Sequence, residues 1–87
     1  MFVIITYDVS EKRVNKVCKK LKEYLNWTQN SVFEGEMTKT QFLKCRRDLE
    51  KIIDHETDSI YYYVVENPKH LKKFHVGAEK ADLDLFF

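Results

Sequence analysis

Two glycines and one proline in 87 residues leave little room for long irregular connections. Both residue types punctuate regular structure, so their scarcity implies helices and strands joined by short loops. Cysteine is equally sparse: Cys18 and Cys45 share no CxxC spacing and have no histidine pair nearby, which gives no support to zinc or redox chemistry. Both fall at apolar helical positions, where a free thiol packs as a small hydrophobe. An excess of one charge is missing too. The formal net charge is +1, so no global basic field argues for nucleic acid. The longest apolar stretches are strand-sized, which excludes a transmembrane helix. With neither a signal-peptide pattern nor a lipidation motif, the expected location is the cytoplasm, with no membrane partner.

What is present argues for a folded domain. The hydrophobic fraction is 44% and there are twelve aromatic residues, enough for one modest core in a single domain over residues 1–87. Charge is unevenly distributed. Between Ser10 and Leu25, Lys12, Arg13, Lys16, Lys19, Lys20 and Lys22 face only Glu11 and Glu23, a local balance of +4. The last ten residues carry Glu79, Asp82 and Asp84 against Lys80, a balance of −2. One region attracts phosphate, and the other suits a basic surface.

The run Phe2-Val3-Ile4-Ile5-Thr6-Tyr7 is apolar at both parities, which predicts a central strand ending at Asp8. Ser10 is a good N-cap for a helix to about Tyr24, with Val14, Val17, Cys18, Leu21 and Leu25 at helical period and the lysines opposite. Residues 27–37 read as two short strands with a tight reversal or bulge near Gln29–Ser31. Thr38 and Gln41 form a T-x-x-Q capping box. The helix it opens places Phe42, Cys45, Leu49, Ile52 and Ile53 on one stripe and ends near Asp54. Ile60–Val65 is a strand dense in aromatic and β-branched residues, stopped by Asn67-Pro68. A short strand around Lys73–Val76, a turn at Gly77 and an apolar segment Leu83–Phe87 complete the chain. The order β-α-β-β-α-β, with an additional short C-terminal strand, is that of a ferredoxin-like α+β sandwich.

Two helices cover one face of such a sheet. The aromatics of the other face need a cover, and a symmetric homodimer supplies it economically. The C-terminal segment 78–87 is expected to pack on the dimer partner, adding a strand to its sheet edge. Of Tyr61–Tyr63, at most two side chains share a face, so core and interface roles outweigh base stacking.

Asp8 is the residue with the clearest chemistry. It alone follows closely behind the first apolar run, at the point where the chain leaves the sheet. A carboxylate there suits a hard cation, Mg²⁺ or Mn²⁺, with phosphates and waters as further ligands. Helix capping is the structural alternative. His55, His70 and His75 fall in or near loops and the late strand region, as surface or partly packed side chains.

Tyr7-Asp8-Val9 at the first strand's end, Gln29-x-Ser31-Val32-Phe33-Glu34-Gly35-Glu36 after the first helix and Thr38-x-x-Gln41 opening the second form a specific combination. It resembles the small CRISPR-associated endoribonuclease family, partner of the integrase subunit in the spacer-acquisition complex, over nearly the whole chain. The resemblance implies a homodimer in which Asp8 faces its twin across the two-fold axis, the two carboxylates sharing a divalent metal as catalytic and metal ligand. It implies that Tyr7 and Phe33 belong to the same cleft, and that Arg13 and Lys16 at the start of the first helix contact nucleic acid. A basic residue common in the family's second strand is replaced here by Trp27-Thr28.

The residues themselves add Lys19 and Lys20 to the phosphate-contacting set, with Arg46, Arg47 and Lys51 as lesser extensions. Doubled by a two-fold axis, that surface tracks a DNA duplex through backbone contacts; single-stranded RNA is the other substrate. Two functions of different class result. One is a Mg²⁺- or Mn²⁺-dependent endonuclease acting through Asp8, and the other a non-catalytic DNA-binding scaffold bridging integrase dimers. An RNA-cleaving toxin on the same fold is disfavoured by the full Q-x-S-V-F-E-G match.

Overall fold

The structure, a computed structural model, describes residues 1–67 and 69. Six elements follow in order: β1 (Phe2–Asp8), α1 (Glu11–Leu21), β2 (Asn26–Gln29), β3 (Val32–Glu36), α2 (Lys39–Glu50) and β4 (Ser59–Val65). The strands form one sheet in the order β2-β3-β1-β4, with every neighbouring pair antiparallel. This is the ferredoxin-like arrangement expected from the sequence. The expected strand at Lys73–Val76, the turn at Gly77 and the terminal segment lie outside the described residues. Among the described residues no helix is long and apolar enough to cross a membrane.

β1 is central, as its unbroken apolar run requires. It pairs with β3 from Phe2↔Glu36 to Thr6↔Val32 and with β4 from Phe2↔Val65 to Asp8↔Ser59. Side chains alternate across it. Val3, Ile5 and Tyr7 turn toward the helices and pack with Phe33, Val17, Leu21, Cys45 and Leu49 in the main core. Ile4 turns the other way and packs with Val32 and Phe2 in a second, smaller cluster. Val3, Ile4 and Ile5 are consecutive and all fully buried, so β1 contributes apolar burial to both faces of the sheet.

Ser10 caps α1, its hydroxyl accepting from the Lys12 N–H at 3.3 Å. The helix ends at Leu21, short of the expected Tyr24. The apolar period runs on, but the backbone tightens: the Glu23 N–H reaches the Lys20 carbonyl and the Tyr24 N–H that of Leu21, three residues back in each case. α2 ends early in the same way. It stops at Glu50 rather than near Asp54, and the Ile52 and Ile53 N–H groups both return to the Leu49 carbonyl while their side chains stay packed on the core. Tyr24 donates to Asp48 Oδ2 at 2.8 Å and so joins the end of α1 to α2.

Between β2 and β3 both expected irregularities occur. A bulge shifts the register between Trp27 and Gln29, and Asn30 takes a left-handed φ of 42°, a conformation asparagine tolerates better than most residues. β2 is a sheet edge, where Trp27 is 58% exposed.

The capping box of α2 is present in full: Thr38 Oγ1 accepts from the Gln41 N–H at 3.1 Å, and Gln41 Oε1 accepts from the Thr38 N–H at 2.9 Å. Replacing Thr38 by Ala should lower stability by about 1 kcal/mol, read as a reduced urea midpoint at unchanged slope.

Candidate metal and nucleic-acid site

Asp8 is the last residue of β1 and is exposed. The alternation that sends Val3, Ile5 and Tyr7 toward the helices puts Asp8 on the opposite face, in line with Phe2, Ile4 and Thr6. Ser59 is its register partner on β4. On the β3 side the ladder has already ended at Thr6↔Val32, and the Tyr7 N–H reaches the Ser31 carbonyl at 3.2 Å. Asp8 therefore stands at the rim of the face that carries no helix among the described residues. Tyr61 and Tyr63 share that face, 56% and 42% exposed, whereas Tyr62 turns toward α2 and meets Phe42 edge-on at 5.7 Å.

The donor chemistry of Asp8 fits a hard divalent cation, since it offers an accessible carboxylate at a defined strand end. Ligand number is the constraint. Among the described residues no group of three or more His, Cys, Asp or Glu side chains could hold a metal, so the described part of one chain does not assemble a full protein ligand set around Asp8. His55, one of the three histidines, is exposed and lies 3.3 Å from the Glu50 carbonyl through Nε2. His70 and His75 lie outside the described residues.

The expected nucleic-acid contacts separate into three groups. Phe33 is fully buried and Tyr7 is 7% exposed, their rings 6.2 Å apart within the main core. Strand alternation turns both rings under the helices, so neither ring lies exposed at the rim where Asp8 stands. Tyr7 Oη instead lies 2.9 Å from Cys18 Sγ. Cys45 is buried as expected, and desolvation pushes its thiol up to about 11, which keeps it protonated and unreactive.

Arg13 forms the second group, through an ion pair that nothing in the sequence announced. Its Nε donates to Asp58 Oδ2 at 2.6 Å and its Nη2 to Asp58 Oδ1 at 3.2 Å and Thr57 Oγ1 at 3.2 Å. The Asp58 side chain is fully buried. It also accepts from the Ser10 N–H at 3.0 Å and the Asp54 N–H at 2.9 Å. The Arg13 fork, followed by these backbone donors, holds the carboxyl well below the usual carboxylate range. The pairing spans 45 residues, so no local spacing could have revealed it.

The helix lysines are the third group. Lys12, Lys16 and Lys19 are exposed on α1 at spacings of four and three, which align them in one stripe. Lys20 is half-buried and pairs with Glu23 at 3.2 Å. On α2 the Arg46 guanidinium lies over Phe42 at 5.7 Å and Tyr62 at 5.5 Å.

A ferredoxin-like sandwich with tyrosines on the sheet face opposite its described helices and an exposed acid ending its central strand is the class this chain falls in. Residues 1–73 match the model of the CRISPR associated protein Cas2 family. A Thermodesulfovibrio yellowstonii protein named CRISPR-associated endoribonuclease Cas2 3 is 54% identical over 79 residues, covering 91% of this chain and 90% of that protein. A Methanosarcina acetivorans CRISPR-associated endoribonuclease Cas2 is 49% identical over 82 residues, 94% of each. A solved structure described as the crystal structure of cas2 has a TM-score of 0.84 at 41% identity, covering 100% of this chain and 98% of that one. The chain belongs to the CRISPR-associated Cas2 family.

The depressed Asp58 carboxyl has a pH consequence. A folded pKa below the unfolded value, about 3.9, stabilises the fold fully above that value and progressively less as pH falls through it. Asp58→Asn should lower the urea midpoint at pH 7, and the gap from the unsubstituted protein should narrow steadily below about pH 4.

Proposed function

We propose that this protein is a divalent-metal-dependent endonuclease of CRISPR spacer acquisition, working as a homodimer in which Asp8 of each copy contributes to one Mg²⁺ or Mn²⁺ site. The observation that carries the reading is the placement of Asp8. It is exposed, it ends the central strand, and it lies on the same face as Phe2, Ile4, Tyr61 and Tyr63. Two such faces packed about a two-fold axis, with sheets about 10 Å apart, cover the aromatics and turn both carboxylates toward one interface. Two adjacent carboxylates repel, and a cation between them offsets that cost. When bound, a divalent ion supplies an activated water and charge neutralisation at the phosphate. The chain's own part is to hold carboxylate oxygens at the interface and to draw the phosphate backbone to the helix surface.

Lys12, Lys16 and Lys19 supply that attraction, and a two-fold axis repeats their stripe along a duplex. Contacts of this kind give affinity without sequence readout, as suits capture of arbitrary duplex DNA alongside an integrase subunit. The names of the relatives, endoribonucleases, support RNA as a substrate. A second reading, a non-catalytic scaffold that binds duplex DNA and bridges integrase dimers, is favoured by the ligand count, since among the described residues Asp8 belongs to no group of three or more potential metal ligands.

Asp8→Asn separates the two. The nuclease reading expects Mg²⁺- or Mn²⁺-dependent cleavage to fall on the order of 100-fold or more, the scale for losing one preorganised charge-stabilising group, with the dimer intact by light scattering. Spacer acquisition that survives this loss identifies the scaffold as the biological role, and an unsubstituted protein that cleaves neither RNA nor DNA with either metal refutes the nuclease. Replacing Lys12, Lys16 and Lys19 together by Gln should lower the slope of log affinity for duplex DNA against log salt by about 0.9 per lost phosphate contact.

A further inference from the structure

We infer that Arg13 and Asp58 are positioning residues for Asp8, a buried clamp that sets where the strand-end carboxylate stands; the inference rests on the metal-site reading of Asp8. The clamp brackets Asp8 from two directions. Two residues downstream, the Ser10 N–H donates to Asp58 Oδ1 at 3.0 Å, where the chain turns from β1 into α1. Across the ladder, Ser59 is the register partner of Asp8, and Ser59 directly follows Asp58. One buried carboxylate thus fixes both the chain leaving Asp8 and the strand beside it.

Asp58 is itself held firmly. Its backbone N–H donates to the Asp54 carbonyl at 2.8 Å, and its Oδ2 accepts the Asp54 N–H at 2.9 Å. Arg13 completes the set from the first turn of α1 with a two-point fork, Nε on Oδ2 and Nη2 on Oδ1. The fork needs both nitrogens in one plane, a geometry lysine cannot reproduce.

Metal affinity depends on ligands held to within about half an ångström. The exposed Asp8 side chain inherits its position from its backbone, so loosening the clamp spreads the carboxylate over a wider range of positions. Arg13 then acts through backbone geometry. Its fork is occupied by Asp58 and Thr57, in contrast to the free-standing lysine stripe beside it.

The test uses the full chain as unsubstituted protein, Arg13→Lys, Asp58→Asn and Asp8→Asn. Mn²⁺ uptake is read from the electron-paramagnetic signal of the free ion, and amide hydrogen exchange is measured on the metal-free protein. We expect Arg13→Lys to bind Mn²⁺ about 10-fold or more weakly, the usual scale for losing a group that orients a ligand, with Ser10 exchange accelerated selectively and the salt slope for duplex DNA unchanged. Asp58→Asn, of the same shape, gives the same readings where Arg13→Lys loses too much stability. Mn²⁺ uptake abolished by Asp8→Asn but intact in both clamp variants overturns the clamp alone. So does uniform acceleration of exchange at unchanged Mn²⁺ affinity, which marks a purely structural pair, or a change confined to the salt slope, which marks a phosphate contact. Unsubstituted protein that takes up no Mn²⁺ overturns both the metal-site reading and the clamp.

Discussion

The buried carboxylate of Asp58 is the constraint from which the geometry at this end of the sheet follows. A fully buried charge is tolerable only when paired and hydrogen-bonded, and here one group gathers donors from the β1–α1 turn, the first turn of α1 and the loop before β4. Two stretches distant in sequence, 10–13 and 54–58, meet because each brings donors that the acid requires. Removing Arg13 would leave the fully buried Asp58 carboxylate without its counter-charge, the costly way to break such a pair.

The sheet imposes a second demand. β1 buries side chains on both faces, so the layer opposite the helices is apolar at its centre and increasingly polar toward Asp8 at its rim. That gradient leaves Tyr61 and Tyr63 exposed along the face and an exposed carboxylate at its edge. The helices divide differently. α1 commits Arg13 to the fold and leaves the stripe at Lys12, Lys16 and Lys19 to solvent, while Arg46 on α2 covers aromatic rings rather than reaching outward.

Much of this was legible in the sequence because it is local. Strand alternation, the Ser10 cap, the T-x-x-Q box and the reversal at Asn30 each depend on neighbours a few residues apart, and they sufficed to give the element order and the ferredoxin-like fold. Helix ends were less legible, because apolar periodicity continues past the last regular turn where the backbone tightens. The strand-end placement of Asp8 was legible, and the burial of the residues around it was not. Tyr7 and Phe33 flank recognisable motifs, yet both motifs lie in strands, where successive residues face opposite ways, so nearness in sequence to Asp8 or to the S-V-F-E-G segment meant burial. The role of Asp58 left no trace, since its partners Ser10 and Arg13 lie more than forty residues away and a carboxylate in a polar loop reads as ordinary surface.

The pairing of Phe2 with Val65 carries a last consequence, for synthesis. Of the described strands β1 leaves the ribosome first and β4 last, so Val3, Ile4 and Ile5 emerge long before one of their two flanking strands exists. Through that interval an apolar strand lacks its full hydrogen-bonding complement, the condition that favours mispairing in nascent chains. Strongly nonlocal contacts of this kind also slow folding. Asp8, at the end of that strand, therefore gains its fixed position only when β4 docks and Asp58 arrives with it.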